Sequence, residues 1–287
     1  MSSDHTPANA AEELFWNAET GQAWVELQEP LDTTFNTITQ RLYTLLAAAP
    51  GERVLDVGCG SGTTTMALAR SVGASGTVIG LDISRPLLAR AEARTHEAGL
   101  HTIRYMLADA QTHGFARDSF DVVASRFGVM FFADPVAAFA NLRSGMRAGG
   151  RLACACWAAV TRNPWFHLAR EAAIARLGRP TPTAPTAPGP MAFADVDYVR
   201  GILAKAGFAD IAVDSEEIEL QVPHDADWVA RVACRAGPAN RIIRQFAASA
   251  DDVALIRADI AAGFAPYETP SGLKMPATVN FLRARNR

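Results

Sequence analysis

The chain has 287 residues, 49% of them hydrophobic, and 27 Lys and Arg against 30 Asp and Glu give a net charge of −3. That length holds one large α/β domain or a core domain with a small cap, and the apolar fraction is enough to bury a real core. Interspersed, near-balanced charge argues against nucleic acid as a partner, no apolar run nears the roughly 18 residues of a membrane span, and polar Met1 to Ala11 lacks a signal-like stretch, so a cytoplasmic location is expected.

Four cysteines, Cys59, Cys154, Cys156 and Cys234, do not make a disulfide framework in a chain of this size. Cys154 and Cys156 alternate along an apolar run and read as small core residues, their spacing being too short for a usual zinc pair. No metal is expected.

From residue 8 to residue 49, Phe15, Trp16, Trp24, Leu27, Leu31, Phe35, Ile38, Leu42, Leu45 and Leu46 recur at three- and four-residue steps. Breaks near Gly21 and Pro30 predict two short helices and a longer one that ends at Pro50-Gly51. Val54 to Val57 is then an apolar run containing Asp56, followed by Gly58, Cys59, Gly60, Ser61 and Gly62 and a helical run from Thr63. Strand, tight turn and helix N-terminus are implied, and a turn this rich in glycine lets a flat ligand press on the backbone. The dinucleotide fingerprint needs a further glycine three residues after the second, but position 63 is Thr. Asp56 would also repel a pyrophosphate while suiting an ammonium group.

Thr77 to Asp82 reads as the next strand, with Asp82 falling 20 residues after Gly62, where a carboxylate can grip both ribose hydroxyls. Ile103 to Ala110 reads as a strand ending at Asp109, and Phe120 to Arg126 as a fourth. Asp134 and Pro135 suit an N-cap and first helical residue, for a helix to about Arg147 before a strand from Arg151 to Trp157. A helix follows from Pro164 to about Leu177. Pro180 to Pro190 is a proline-rich stretch expected to be exposed and mobile. A helix from Asp195 to Ala206, a strand from Phe208 to Leu220, helices within 224–265 and a last strand from Met275 to Arg285 complete the chain.

Together the glycine turn and the three acids at successive strand ends resemble the class I S-adenosylmethionine-dependent methyltransferases, in particular the ubiquinone and menaquinone methyltransferase group. The resemblance is close over about residues 50–157, with Ala148 in place of the proline of the family's Leu-x-Pro-Gly-Gly junction. It implies an α/β fold, a Rossmann-like seven-stranded sheet in the order 3-2-1-4-5-7-6 with strand seven antiparallel, and helical cap elements. The expected parts are an N-terminal helical lid (1–49), the cofactor-binding core (50–157), a cap excursion with the proline-rich loop (158–194), core continued (195–222), a helical cap insertion (223–270) and the last core strand (271–287). Asn163-Pro164-Trp165-Phe166 resembles the Asn-Pro-Pro-Tyr box of DNA amino-methyltransferases, but it follows the fifth strand where that box follows the fourth, and is read as a helix start.

The resemblance implies S-adenosylmethionine as cofactor. Gly58, Cys59, Gly60 and Gly62 would give backbone contact, Asp56 would face the methionine ammonium, and Asp82 the ribose. Ile83 would lie beside the adenine, Asp109 and Ala110 at its edge, Arg126 at the methionine end or substrate, and Trp16 would reach in from the lid. Trp24, Phe127, Met130, Phe131 and Phe132 are candidates for the substrate pocket. His167 and Glu171, one helical turn apart, are a candidate acid-base pair, with His113 and Tyr267 as outside alternatives. The expected reaction is in-line methyl transfer to a small, largely apolar molecule through oxygen, carbon or nitrogen. Two other readings stay open: a cofactor-assisted reaction without methyl transfer, and a non-catalytic cofactor-binding subunit. The sequence leaves the oligomeric state open.

Overall fold

In this computed structural model, which describes residues 8–287, β1 (Arg53–Val57) lies between β2 (Thr77–Asp82) and β4 (Phe120–Arg126), parallel to both. Val54, Leu55 and Val57 are buried. Each such side chain contributes about 1.5–3 kcal/mol on leaving water, which favours a central place for a strand buried along nearly its whole length. β3 (Ile103–Leu107) forms one edge, and beyond β4 come β5 (Met146–Trp157), β8 (Gly272–Arg285) and β6 (Ala209–Val222). The order β3-β2-β1-β4-β5-β8-β6 is the expected one, with β8 antiparallel to both neighbours. An additional two-residue strand, β7 (Glu268–Thr269), pairs with β8 and carried no periodicity to announce it.

Four helices precede the sheet, where three were expected: α1 (Ala10–Asn17), α2 (Glu19–Glu26), α3 (Gln28–Thr34) and α4 (Asn36–Leu46). Gly21 lies within α2. A Cβ there would sit 2.0 Å from the Trp16 carbonyl oxygen, so close approach to α1 and not a break explains it. Pro30 occupies the first turn of α3, where its missing N–H costs nothing. Residues 1–7 of the expected lid lie outside the described residues.

Helices α5 (Thr63–Val72), α6 (Arg85–Glu97), α7 (Pro135–Gly145), α8 (Pro164–Leu177) and α9 (Val196–Lys205) make the crossovers and the packing layers. Asp134 caps α7 by accepting from the Ala137 N–H at 3.0 Å. β3 ends at Leu107, leaving Asp109 in the loop beyond, and β5 begins five residues earlier than expected, at Met146. The Asn163 side chain, fully buried, donates to the carbonyls of Ala158, Ala159 and Thr278 and accepts from the Thr278 N–H at 2.9 Å. It therefore braces the end of β5 and the start of α8 against β8.

Between β6 and β7 stand α10 (Ala226–Ala236), α11 (Pro238–Gln245) and α12 (Ala250–Phe264), packed on α8 and against α2. Arg235 pairs with Glu26 at 2.8 Å and Arg244 with Glu19, both exposed pairs between this insertion and α2. Such pairs contribute about 0–1 kcal/mol each, so they set register more than stability.

Candidate cofactor site at the carboxyl edge

The turn after β1 is fastened to the end of β2. The N–H groups of Gly58 and Cys59 both donate to the Leu81 carbonyl, at 2.8 and 3.1 Å. Gly58 has φ +65°, and a Cβ there would lie 2.6 Å from Gly128 Cα, so this glycine permits backbone to pack on backbone. At Gly62 a Cβ would meet the Tyr105 hydroxyl at 2.5 Å. Gly60 differs: with φ +54°, its Cβ would meet nothing within 4 Å. Of the three motif glycines, it is the one that faces open space.

Asp82, the last residue of β2, is buried and accepts from the Gly60 N–H at 2.7 Å and the Ser84 N–H at 2.9 Å. Burial raises its pKa, and the backbone donors oppose the rise. Asp56 is fully buried in β1, with one oxygen accepting from the Thr65 hydroxyl at 2.6 Å and Oδ1 without a partner among the described residues. Burial pushes its pKa up to about 7. Cys59 is also buried, which pushes its thiol pKa well above the ordinary value. Ala110 is buried and its carbonyl accepts from Asn141.

The N-terminal helices lie over the carboxyl ends of β2 and β3. Asn9 Nδ2 donates to both Asp109 oxygens at 2.9 Å, and Asn9 Oδ1 accepts from the Ala133 N–H. Asn17 donates to the Ile83 carbonyl at 2.9 Å and accepts from the Arg85 N–H, while the Trp16 carbonyl accepts from the Ser84 hydroxyl. The Trp16 ring meets Trp24 and Phe131 edge-on at 5.8 and 5.3 Å.

Arg126, at the end of β4, donates to the Thr39 hydroxyl at 2.7 Å and lies 3.6 Å from Asp32. Asp32 also accepts from Thr63 Oγ1 at 2.6 Å and Arg94 Nη2 at 2.9 Å, and Arg94 Nη1 donates to the Ser61 carbonyl at 2.6 Å. This network ties α3 and α6 to the glycine turn. Sequence reasoning missed Asp32, Arg94 and Asn9 because each acts through a partner at least 31 positions away, and no periodicity marks such a pairing.

On the far side of the turn, Met130 and Phe132 are buried, whereas Phe127 and Phe131 are half-buried. His167 is half-buried on α8, and Glu171 is exposed and paired with Arg170 at 2.8 Å. His113 stands in the loop after β3 against Phe115, and Tyr267 follows α12. Two cavities among the described residues lie elsewhere. One of about 470 Å³ includes Pro135, Tyr198 and Lys205, and one of about 320 Å³ includes Arg53, Thr77 and His113. Among the described residues no three His, Cys, Asp or Glu side chains gather as a metal site, and no helix is long and apolar enough to cross a membrane.

These donors and acceptors fit S-adenosylmethionine. Each Asp82 oxygen already holds one backbone donor and keeps a lone pair for a hydroxyl, Asp109 already accepts an NH₂ group, and Gly60 leaves room above the turn. A profile of the ubiE/COQ5 methyltransferase family matches residues 35–172. Aklanonic acid methyltransferase DauC of Streptomyces sp. (strain C5) is 39% identical over 119 residues, 42% of this chain and 54% of that protein, so the match spans about half of that relative's length. Nocamycin O-methyltransferase of Saccharothrix syringae is 31% identical over 197 residues, 66% of this chain and 70% of that protein. The solved structure of Haemonchus contortus phosphoethanolamine N-methyltransferase 2 with S-adenosyl-L-methionine superposes with a TM-score of 0.60 at 17% identity, covering 98% of this chain and 60% of that one. That likeness is one of fold. The chain belongs to the class I S-adenosylmethionine-dependent methyltransferases, and within them it resembles the ubiE/COQ5 group.

The glycines separate stability from ligand access. Gly58→Ala is expected to destabilise the chain by about 2–4 kcal/mol, because a clash with backbone adds to the strain of positive φ. Gly60→Ala adds its methyl to open space and is expected to cost only about 1 kcal/mol. Urea unfolding of the two variants checks this, and equal losses would contradict the assignment of Gly60 as the open position.

Asp56 predicts a pH dependence. With its folded pKa raised to about 7 from an ordinary 3.8, the folded chain keeps a proton that the unfolded chain releases. The group's contribution is therefore fully present in acid and is lost as pH rises from about 4 through 7. Asp56→Asn should flatten this slope, with Asp82 still contributing one of the same sign, and should exceed the wild type by roughly 2 kcal/mol at pH 8. Parallel stability profiles for the two proteins would refute a buried, proton-holding Asp56.

Proposed function

We propose that this chain transfers the methyl group of S-adenosylmethionine to a small, largely apolar molecule, through an oxygen, carbon or nitrogen acceptor, by in-line displacement in a closed pocket. The observation that carries this reading is the hydrogen bond from Gly60 to Asp82. It sets a carboxylate at the end of β2 beside the one motif glycine that opens on space. When bound, the cofactor would supply an electrophilic methyl carbon on a sulfonium.

In this reading the backbone at Gly58, Cys59, Gly60 and Gly62 forms the floor and Asp82 accepts from the ribose hydroxyls. Ile83, Asp109 and Ala110 flank the adenine, and Asp56 and Arg126 serve the charged amino-acid end. Trp16 closes the site from above, and Trp24, Phe127, Met130, Phe131 and Phe132 line the acceptor side. Such a site works chiefly by orientation, which can supply up to roughly 7–11 kcal/mol of barrier lowering, and by shutting out water. His167 is the candidate base for a hydroxyl acceptor. Glu171, engaged by Arg170 at the surface, would have to exchange that partner to assist it. The small-molecule assignment draws support from the relatives named for aklanonic acid and nocamycin. A cytoplasmic location and a site that takes neither nucleic acid nor membrane belong to the same proposal.

Titration calorimetry with S-adenosylhomocysteine on the wild type and Asp82→Ala tests the grip. Loss of a charged acceptor for two hydroxyls should weaken binding by roughly 10- to 100-fold. Equal affinities would remove the ribose role from Asp82.

A further inference from the structure

Asn9 stands at the N-cap position of α1, and Asn is among the residues that cap a helix best. It forgoes that role. Among the described residues its side chain makes no capping bond to the first turn of α1, and its polar atoms are committed across the fold instead. Nδ2 donates to both Asp109 oxygens at 2.9 Å and to Gln111 Oε1 at 3.3 Å, while Oδ1 accepts from the Ala133 N–H at 2.8 Å. Asn9 is buried in making these bonds.

The helix behind it is held differently. Every residue of α1 is exposed or half-buried, with Leu14 and Phe15 among the exposed, so little apolar burial keeps it in place. Its far end is pinned by polar groups: Asn17 bridges the Ile83 carbonyl and the Arg85 N–H, and the Trp16 carbonyl accepts from Ser84 Oγ. A segment fastened at its two ends by hydrogen bonds opens locally at small cost, because water replaces those bonds.

A carboxamide sets an NH₂ beside an acceptor oxygen, and adenine sets its exocyclic NH₂ beside an acceptor ring nitrogen. Asn9 therefore offers Asp109 and its surroundings the pair of groups that an adenine edge would offer. An NH₂ equidistant from both carboxylate oxygens stands directly in front of them, and the Gln111 N–H already holds Oδ1 at 2.8 Å, so a second amine cannot share the place. We infer that Asn9 is an internal stand-in for adenine, and that the cofactor binds by displacing it and lifting the first turn of α1. This rests on the reading of Asp109 as the adenine acid. A helix that only closed over a bound nucleoside would strengthen its binding. One that presents the nucleoside's own hydrogen-bonding groups weakens it, because only molecules with Asn9 withdrawn take the ligand.

Titration calorimetry with S-adenosylhomocysteine on the wild type and Asn9→Ala, together with hydrogen exchange and thermal melting, tests the sign of the effect. Asn9→Ala removes the competitor and should bind the ligand about tenfold more tightly, since a hydrogen bond to a carboxylate no longer has to be exchanged. In the wild type the ligand should speed exchange of the α1 amides. Asn9→Ala should melt below the wild type without ligand and level with it at saturating ligand, because the deleted contact is absent from the complex. Equal or weaker binding by Asn9→Ala, slowed exchange in α1, or a melting deficit that persists at saturation would overturn the inference and leave the cofactor reading standing. Failure of both proteins to bind S-adenosylhomocysteine would overturn the cofactor reading, and this inference with it.

Discussion

The bond between the Asp82 carboxylate and the Gly60 N–H is the interaction on which the site depends. Two parallel strands share a sheet without any need for the loops beyond them to agree in position. Here they agree because Leu81 and Asp82, consecutive in β2, together accept three N–H groups from the turn after β1. The turn is also backed from β4 through the Gly58 and Gly128 backbones. A cradle fixed from two neighbouring strands loses little freedom when something settles on it.

Around that cradle the N-terminal helices and the late insertion act as one covering layer. Asn9 and Asn17 reach down to the loops after β3 and β2, Asp32 and Arg94 tie α3 and α6 to the turn, and arginines of α10 and α11 hold α2 from the outside. The deeper contacts are partly buried and directional, the outer ones exposed and weak. Displacement of the layer would therefore begin at the insertion and end at the acids. The covering helices also bring Phe35 edge-on to Phe127, with ring centroids 5.5 Å apart.

Much of the fold was legible in the sequence because it rests on local signals. β2 and β4 have the expected bounds, as does α8, and the acids fall near strand ends because an apolar run that stops at an acid stops at the sheet's edge. Strand order followed from the resemblance. The division of the first helices was misread, since Gly21 and Pro30 look like breaks to any local rule while one is required by packing and the other tolerated in a first turn. Within the candidate site, the chain positions of Asp56, Asp82 and Arg126 could be read, but their partners could not. Asp56 with Thr65, Asp109 with Asn9 and Arg126 with Asp32 are tertiary facts. The left-handed backbone of Phe127 was equally hidden, because no residue type announces it.

The central claim is that a sulfonium nucleoside lies over Gly60 with its sugar held by Asp82. A crystal structure of the protein with S-adenosylhomocysteine measures this directly. The account predicts both ribose hydroxyls within hydrogen-bond distance of the Asp82 carboxylate and the ligand in van der Waals contact with the Gly60 backbone. Density for the nucleoside elsewhere, or a crevice closed to it by the N-terminal helices, would contradict the account.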